Sequence, residues 1–238
     1  MKHPRRESRN PDEIAASTRG LVADFLQNLD LPVDSRRFLE RIAKLAELIA
    51  RWGPKVNLTG APEDPGELAF HIIDSLGPLF VEQGSPLGQT AQAPEEARIL
   101  DLGSGAGFPG LILGAAMPEA HFILCESRRK RASFLTVAIA EMSLENVQID
   151  TRRIEAANVE PIFDTVTAKA FARAEVFHSI AAPALKLNGT AILFANPNQG
   201  LQPETADAHG LGELRRFEYT VPRNRDPVRR MLARWRKL

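Results

Sequence analysis

The stretch Arg98-Ile99-Leu100-Asp101-Leu102-Gly103-Ser104-Gly105-Ala106-Gly107-Phe108-Pro109-Gly110 decides the fold. Its apolar head predicts a short buried strand near 98–102, and a helical pattern over 108–117 starts where the glycines end. Gly103, Gly105 and Gly107 stand where a chain turns tightly and brings its backbone against a ligand with no Cβ in the way. The next apolar run, His121-Phe122-Ile123-Leu124-Cys125, predicts a second strand, and Glu126 follows it. Strand, glycine loop, helix and strand together make a nucleoside-binding unit. Loop amides and the helix N-terminus face a ligand beyond the carboxyl ends of the strands, where Glu126 can accept hydrogen bonds from both ribose hydroxyls.

The same rhythm continues towards the C-terminus. Strands are predicted near 146–150, 163–168 and 190–195, and helices over 128–142 and 174–186. This alternation calls for an α/β fold, a mainly parallel sheet with helices on both faces. Strand-like pieces near 213–221 and 229–236 predict a closing antiparallel pair, which brings the sheet to seven strands. Upstream of the glycine loop the period is helical. Helices are expected over 12–29, 34–52 and 65–82. In the second, Asp34 is placed to cap the start, and Phe38, Ile42, Leu45, Ile49 and Trp52 form one apolar stripe at steps of four and three. Arg37, Arg41, Lys44 and Arg51 fall largely off that stripe, and Gly53-Pro54 is expected to end the helix. Residues 1–11 read as a disordered basic tail and 83–97 as a linker. The expected organisation is therefore a tail over 1–11, a helical extension and linker over 12–97, and an α/β domain over 98–238.

Composition narrows the class. Of 238 residues, 44% are hydrophobic and 25% charged, ordinary values for a soluble globular chain. The longest apolar runs are far too short to span a bilayer, and the basic N-terminus has no apolar stretch behind it. The expectation is a cytoplasmic protein with no membrane partner. The lone Cys125 excludes an internal disulfide, and the five scattered histidines show no ligand spacing, so no metal is expected. The formal net charge is zero, yet basic residues cluster at Lys2, Arg5, Arg6 and Arg9, at Arg128, Arg129, Lys130 and Arg131, at Arg152 and Arg153, and again from Arg223 to Lys237. Two readings stand side by side: a phosphate-tracking face, or solvated surfaces and a tail.

The loop also discriminates between ligands. Its glycine spacing is G-S-G-A-G, not the G-x-G-x-x-G of dinucleotide sites, and Asp101 precedes it. S-adenosylmethionine has no pyrophosphate, and its amino and carboxylate groups suit an acidic residue plus loop amides. The pattern therefore points to a methyl donor. Cys125 ends an apolar strand with no proline before it, which suits a buried structural cysteine better than a nucleophile. Asn196-Pro197-Asn198-Gln199 reads as a loop. His71 and Asp74 share one helical face, a spacing that fits either structural capping, a buried polar pair or a site.

Taken together, these residues resemble the bacterial ribosomal RNA small-subunit methyltransferase G family, also called RsmG or GidB. The likeness runs from about residue 38 to the C-terminus. It rests on Trp52 with Asn57-Leu58-Thr59, on His71-Ile72-Ile73-Asp74-Ser75, and on the glycine loop ending in Phe108-Pro109-Gly110. It continues through Glu126-Ser127, Lys130-Arg131, Phe134-Leu135, Arg153-Ile154-Glu155, Lys169-Ala170-Phe171-Ala172 and Arg229-Arg230. The resemblance implies a class I, Rossmann-like methyltransferase fold. It also implies transfer of a methyl group from S-adenosylmethionine to N7 of a guanine in the 530 loop of 16S rRNA, within the small ribosomal subunit, leaving S-adenosylhomocysteine. The alternative is a small-molecule or protein acceptor on the same scaffold.

By the same resemblance, Gly103, Ser104, Gly105, Gly107, Phe108, Glu126, Ile154, Glu155 and Lys169 are expected at the cofactor. Asn57, His71, Asp74 and Lys169 are the positioning candidates, and Lys130, Arg131, Arg173, Arg229 and Arg230 are expected at RNA. Guanine N7 carries an in-plane lone pair and no proton, so the reaction needs orientation and no general base. Three features depart from the family. Lysine stands at 169 in place of arginine, which keeps the charge without the planar fork. Arg173 would substitute if the segment turned helical. Phe194-Ala195-Asn196-Pro197 replaces a usual Lys-Gly pair, and the last strand is unusually basic.

Overall fold

The computed structural model describes residues 10–27, 29, 34–81, 96–171, 173–201, 206–224 and 226–238. The expected break at Leu31-Pro32-Val33, most of the 83–97 linker and all but two residues of the 1–11 tail lie outside the described residues.

The helical extension contains α1 (Pro11–Leu26), α2 (Ser35–Val56), α3 (Pro65–Ser75) and the short α4 (Gly77–Phe80). The α/β part follows as β1 (Arg98–Leu102), α5 (Gly110–Ala116), β2 (His121–Cys125), α6 (Arg129–Glu141) and β3 (Val147–Asp150). A 3-10 turn over Ala156–Asn158 leads to β4 (Phe163–Lys169), α7 (Ala174–Ala184) and β5 (Leu185–Ala195), and the sheet closes with β6 (Arg215–Arg223) and β7 (Asp226–Arg236). All seven strands form one sheet in the order β3-β2-β1-β4-β5-β7-β6. The first five are parallel, while β7 inserts antiparallel between β5 and β6. The seven-stranded, mainly parallel architecture is the expected one. Strand order reverses between β1 and β4, and ligands of open α/β sheets sit over the carboxyl ends of such a pair.

Among the boundaries that differ from expectation, three do so for local reasons. α2 runs through Gly53-Pro54 and stops only at Asn57, which adopts a left-handed φ of 52°. Gly53 is fixed by packing and does not break the helix: a Cβ there would lie 2.3 Å from Pro62 Cβ. The helix expected over 65–82 is interrupted at Leu76, so that α4 starts afresh with Pro78 in its first turn. α5 starts at Gly110, leaving Phe108-Pro109 in the loop.

Phe38, Ile42, Leu45 and Ile49 are buried as the α2 stripe requires, in the same apolar cluster as Ile112, Phe122 and Phe134. Each such side chain contributes about 1.5–3 kcal/mol by burial. The extension thus shares its core with one face of the sheet. α7 covers the other face, where Phe177, Ile180 and Trp235 lie with Val166 and Leu193.

Arg41 falls off the apolar stripe of α2 and is nevertheless only 7% exposed. Its guanidinium donates to the carbonyls of Met142 (3.1 Å), Ala115 (3.3 Å) and Ser143 (2.9 Å). Those oxygens are among the last of α5 and α6 or just beyond them, and helix ends leave such groups without intrahelical partners. One side chain therefore caps two helices of the sheet layer from the extension. Arg41→Met should lower the unfolding free energy by about 2–3 kcal/mol, since it strands buried carbonyls as well as losing charge-assisted bonds. Urea denaturation would measure this.

Candidate cofactor cleft and acceptor site

The glycine loop bends back over the ends of β1 and β2. Gly103 N and Ser104 N both donate to Cys125 O, at 2.9 and 3.0 Å. Gly103 has a φ of 72°, and a Cβ on it would meet the Phe171 ring at 2.7 Å; at Gly107, with φ 90°, a Cβ would lie 2.2 Å from Leu111 Cδ1. No L side chain fits either position without a shift. Glu126 is buried and held by two amides: Gly105 N donates to Oε2 at 3.2 Å and Arg128 N to Oε1 at 2.8 Å. Both carboxylate oxygens keep a further lone pair for a ribose hydroxyl.

Beside this carboxylate opens a cleft of about 480 Å³, lined by Gly103, Glu126, Ile154, Glu155, Phe171 and Ile180 among others. The structure thus brings Gly103, Glu126, Ile154 and Glu155 together around one cleft. Ser104 is buried and spends its hydroxyl on Asp101 O at 3.1 Å, so only its backbone shapes the loop. Asp101 was expected to face the ligand's charged groups. It is instead fully buried beneath the loop, accepting from Gly110 N at 3.1 Å and from Thr167 Oγ1 at 3.2 Å. Burial pushes its carboxyl up to about 6, with the nearby Ser104 hydroxyl and the hydrogen bonds from Gly110 and Thr167 opposing. Cys125 also lines the cleft, but burial raises its thiol, which suits a structural cysteine.

Across the loop from the cleft, side chains from three strands converge on Asp74 of α3, which is 0% exposed. Tyr219 of β6 donates its hydroxyl to Oδ1 at 2.7 Å, and Arg230 Nε of β7 donates to the same oxygen at 2.9 Å. Lys169 Nζ, at the end of β4, lies 2.8 Å from Oδ2. It also donates to His71 O at 3.1 Å and to Ser75 Oγ at 3.4 Å, and it sits 5.6 Å from the centre of the Phe108 ring. Arg230 Nη1 reaches Asn196 Oδ1 at 2.7 Å, just past β5. Burial pushes the Asp74 carboxyl up, but Lys169 and Arg230 outweigh it and hold the group below the usual carboxylate range.

His71 stacks on Phe108 with centroids 5.3 Å apart and planes inclined by 27°. Its Nδ1 is buried without a hydrogen-bond partner among the described residues. Burial, then the charge of Lys169, lowers the imidazole to about 4, so it is neutral at pH 7. A folded-state value below the ordinary 6.5 means the unfolded chain takes up the proton first. The resulting stability is complete above about 6.5 and is lost as pH falls towards 4, by up to about 3 kcal/mol. His71→Phe keeps the stack and removes the titration. Its urea midpoint should fall less between pH 7 and pH 4.5 than that of the wild type, and equal falls would contradict the assignment.

His71, Asp74 and Lys169 therefore meet, and Phe108 belongs with them rather than with the cleft. Asn57 does not join: its exposed residue ends α2, and its carbonyl accepts from Arg131 Nη2 at 2.9 Å. Lys130 is exposed on α6. Arg173 precedes α7 in an extended conformation, φ −62° and ψ 152°, so the helical relay imagined from residue 169 is absent. Arg229 is exposed and ion-paired with Glu218. Arg230, expected at an RNA surface, instead points inward at Asp74. The sequence reading also missed Tyr219, whose partner lies 145 positions away and which no local pattern marks. Among the described residues, no cluster of His, Cys, Asp and Glu could hold a metal, and no helix is long and apolar enough to cross a membrane.

Comparison with known proteins bears on this geometry. The sequence profile of the rRNA small subunit methyltransferase G (GidB) family matches residues 38–206. A ribosomal RNA small subunit methyltransferase G from Wolinella succinogenes is 37% identical over 169 residues, 71% of this chain and 80% of the relative. Its counterpart from Acidiphilium cryptum is 41% identical over 180 residues, 74% of this chain and 76% of the relative. Among solved structures, one described as a predicted O-methyltransferase from Agrobacterium tumefaciens superposes with a TM-score of 0.51 at 19% identity, covering 69% of this chain and 80% of that one. A putative transferase from Pyrococcus horikoshii gives 0.51 at 14% identity, covering 73% of this chain and 64% of that one. These two likenesses speak for the fold alone. The family profile and the relatives go further: the chain belongs to the rRNA small subunit methyltransferase G family.

Proposed function

We propose that the chain transfers a methyl group from S-adenosylmethionine to N7 of a guanine in the 530 loop of 16S rRNA, in the cytoplasm and on the small ribosomal subunit. The observation that carries this reading is the Asp74 cluster beside the glycine loop. Its groups fix one another: Asp74 is tied to Lys169, Arg230 and Tyr219, and His71 is held neutral. Such a site orients; it is not built to take a proton. Guanine N7 has no proton to lose, and in-line displacement at a sulfonium methyl is accelerated by orientation alone.

The residues present suit the cofactor. Glu126 has lone pairs to spare for ribose hydroxyls, Ile154, Phe171 and Ile180 offer apolar walls for adenine, and the Ile154-Glu155 backbone lies alongside. Gly103, Ser104, Gly105 and Gly107 shape the loop, with Phe108 and Lys169 at its far side. Lys169 and Arg230 place two positive charges on the single carboxylate of Asp74, and the surplus favours a carboxylate on the ligand. S-adenosylmethionine supplies the electrophilic methyl when bound. His71 and Phe108 would hold the acceptor base, Asn57 closes the neighbouring turn, Lys130, Arg173 and Arg229 are the cations offered to RNA, and Arg131 stands among them tied to Asn57 O. Arg230 is assigned to holding Asp74.

Incubating the purified protein with tritiated S-adenosylmethionine and unmethylated small subunits tests the reading. Label should appear in 7-methylguanosine after nuclease digestion of 16S rRNA. Label in another nucleoside or in ribosomal protein would refute it.

A further inference from the structure

The basic side chains of the described residues divide by what they touch. Arg51, Arg152, Arg153, Arg223 and Arg229 each meet a carboxylate. Arg41 is buried among carbonyls, and Arg230 is half-buried against Asp74. Lys55, Arg128, Arg129 and Lys130 are all four exposed, and their side chains meet no carboxylate among the described residues, a state that Arg19, Arg37, Arg98, Arg173, Arg215 and Arg236 share.

These four share one place on the surface. Arg131 Nη2 donates to Asn57 O at 2.9 Å, pinning the end of α2, two residues past Lys55, against the first turn of α6. That place borders the cofactor cleft. The Arg128 amide holds Glu126 at 2.8 Å, and Arg131 Nη1 would lie 3.8 Å from a Cβ on Gly105. Concentrating like charge here is unfavourable within the protein itself. The cations of α6 repel one another and oppose the helix dipole, and the first turn has neither an acidic residue nor a side-chain cap to offset them. An extended polyanion would relieve that repulsion. Long, exposed side chains with no pocket between them suit a repeating phosphate chain read by charge, not a single anion or a base edge.

We propose that Lys55, Arg128, Arg129 and Lys130 form a ledge that holds the phosphodiester backbone of the substrate RNA at the mouth of the cofactor cleft, with Arg131 serving as the brace that sets the ledge in place. The inference rests on RNA being the substrate, as proposed above, and it divides the α6 cations into contact and brace. Each phosphate contact adds about 0.7–0.9 to the slope of log affinity against log salt concentration. Filter binding of an unmethylated 16S rRNA transcript to the full chain, from about 50 to 200 mM KCl, reads that slope directly.

The variant Lys55→Gln, Arg128→Gln, Arg129→Gln, Lys130→Gln should lower the slope by roughly 3, with S-adenosylhomocysteine affinity by calorimetry unchanged. A control removes the same charge elsewhere, by Arg36→Gln, Arg37→Gln, Arg215→Gln and Arg236→Gln. Two of these lie at the opposite end of α2, about 30 Å from Lys55, and two lie on the far strands of the sheet. Its slope should match the wild type. Arg131→Gln should lower the thermal midpoint while lowering the slope by less than the roughly 0.7–0.9 of one phosphate contact. An unchanged slope in the ledge variant, or equal falls in ledge and control variants, would overturn the proposal. The two readings fail differently: methylation of guanine N7 with unaltered slopes sinks the ledge alone, whereas the predicted slopes with label in another nucleoside sink the assigned reaction alone.

Discussion

Replacing Asp74 with asparagine is expected to lower the unfolding free energy by about 3–5 kcal/mol and to abolish methyl transfer. The carboxylate is fully buried, and it is the shared counter-ion of Lys169 and Arg230. Removing it leaves two cations in a protein interior with no compensating charge, which costs far more than the net worth of the ion pairs. Activity should go with it, because the cluster latches α3 to the end of β4 and to β6 and β7, and thereby sets where His71 and Lys169 stand. The pH dependence has a defined sign. Asp74 is held below its ordinary range when folded, so its contribution is complete at neutral pH and is lost as pH falls through that depressed value. Urea denaturation at pH 7 and in acid should show a flatter acid limb in the variant. A control is Asp74→Asn combined with Lys169→Met and Arg230→Met, which removes the uncompensated charge and should recover much of the stability without activity. A loss below about 1 kcal/mol in the single variant would contradict the cluster's role.

The second large effect belongs to the loop. Gly103→Val should weaken S-adenosylhomocysteine binding by about 100-fold or more while the protein stays folded. Position 103 holds a φ of 72°, in which a β-branched residue is strained, and its Cβ would collide with Phe171, itself part of the cleft wall. The collision must move either the loop or the ring, and both shape the site. Gly105→Ala makes a useful contrast. Its φ is 57°, but a Cβ there meets nothing closer than 3.7 Å, so the effect should be several-fold smaller. Calorimetry gives the affinities and circular dichroism the fold. An affinity for Gly103→Val within about threefold of the wild type would mean that the ligand passes elsewhere.

Much of this architecture is written locally. The glycine loop, the apolar runs of β1, β2, β4 and β5 and the stripe on α2 depend on neighbours a few residues apart, and those periods survive in any linear reading. Contacts that close over long separations leave no such trace. Arg41 follows a polar rhythm on α2, yet its acceptors are carbonyls as many as 102 residues away, and nothing in the helix marks it as buried. Arg230 sits in a run of exposed-looking arginines, and only the pairing of β7 with β6 and β5 turns it inward to an aspartate 156 residues distant. Pro54 misled in the opposite way. A proline in the last turn of a helix forfeits one hydrogen bond, and the left-handed Asn57 still closes the helix three residues later. The extension itself was legible as helices, but not as part of the sheet's own core, because burial on that scale is a property of the packed layers.

Asp74 and Lys169 also give meaning to the departure at position 169. A lysine there makes one short ionic contact, 2.8 Å to Asp74, and spreads its other donors over His71 O and Ser75 Oγ. Its lost planar fork is offset in part by Arg230, whose Nε and Nη1 bridge Asp74 and Asn196.

Mapping 16S rRNA from cells that lack this chain tests the assigned reaction most directly. With the chain present, the 530 loop should contain one 7-methylguanine, seen as a primer-extension stop after borohydride reduction and aniline cleavage. The stop should vanish in the deletion strain and return with a plasmid copy, but not with a Gly103→Val copy. A stop that persists in the deletion strain would contradict the assignment of this chain to that guanine.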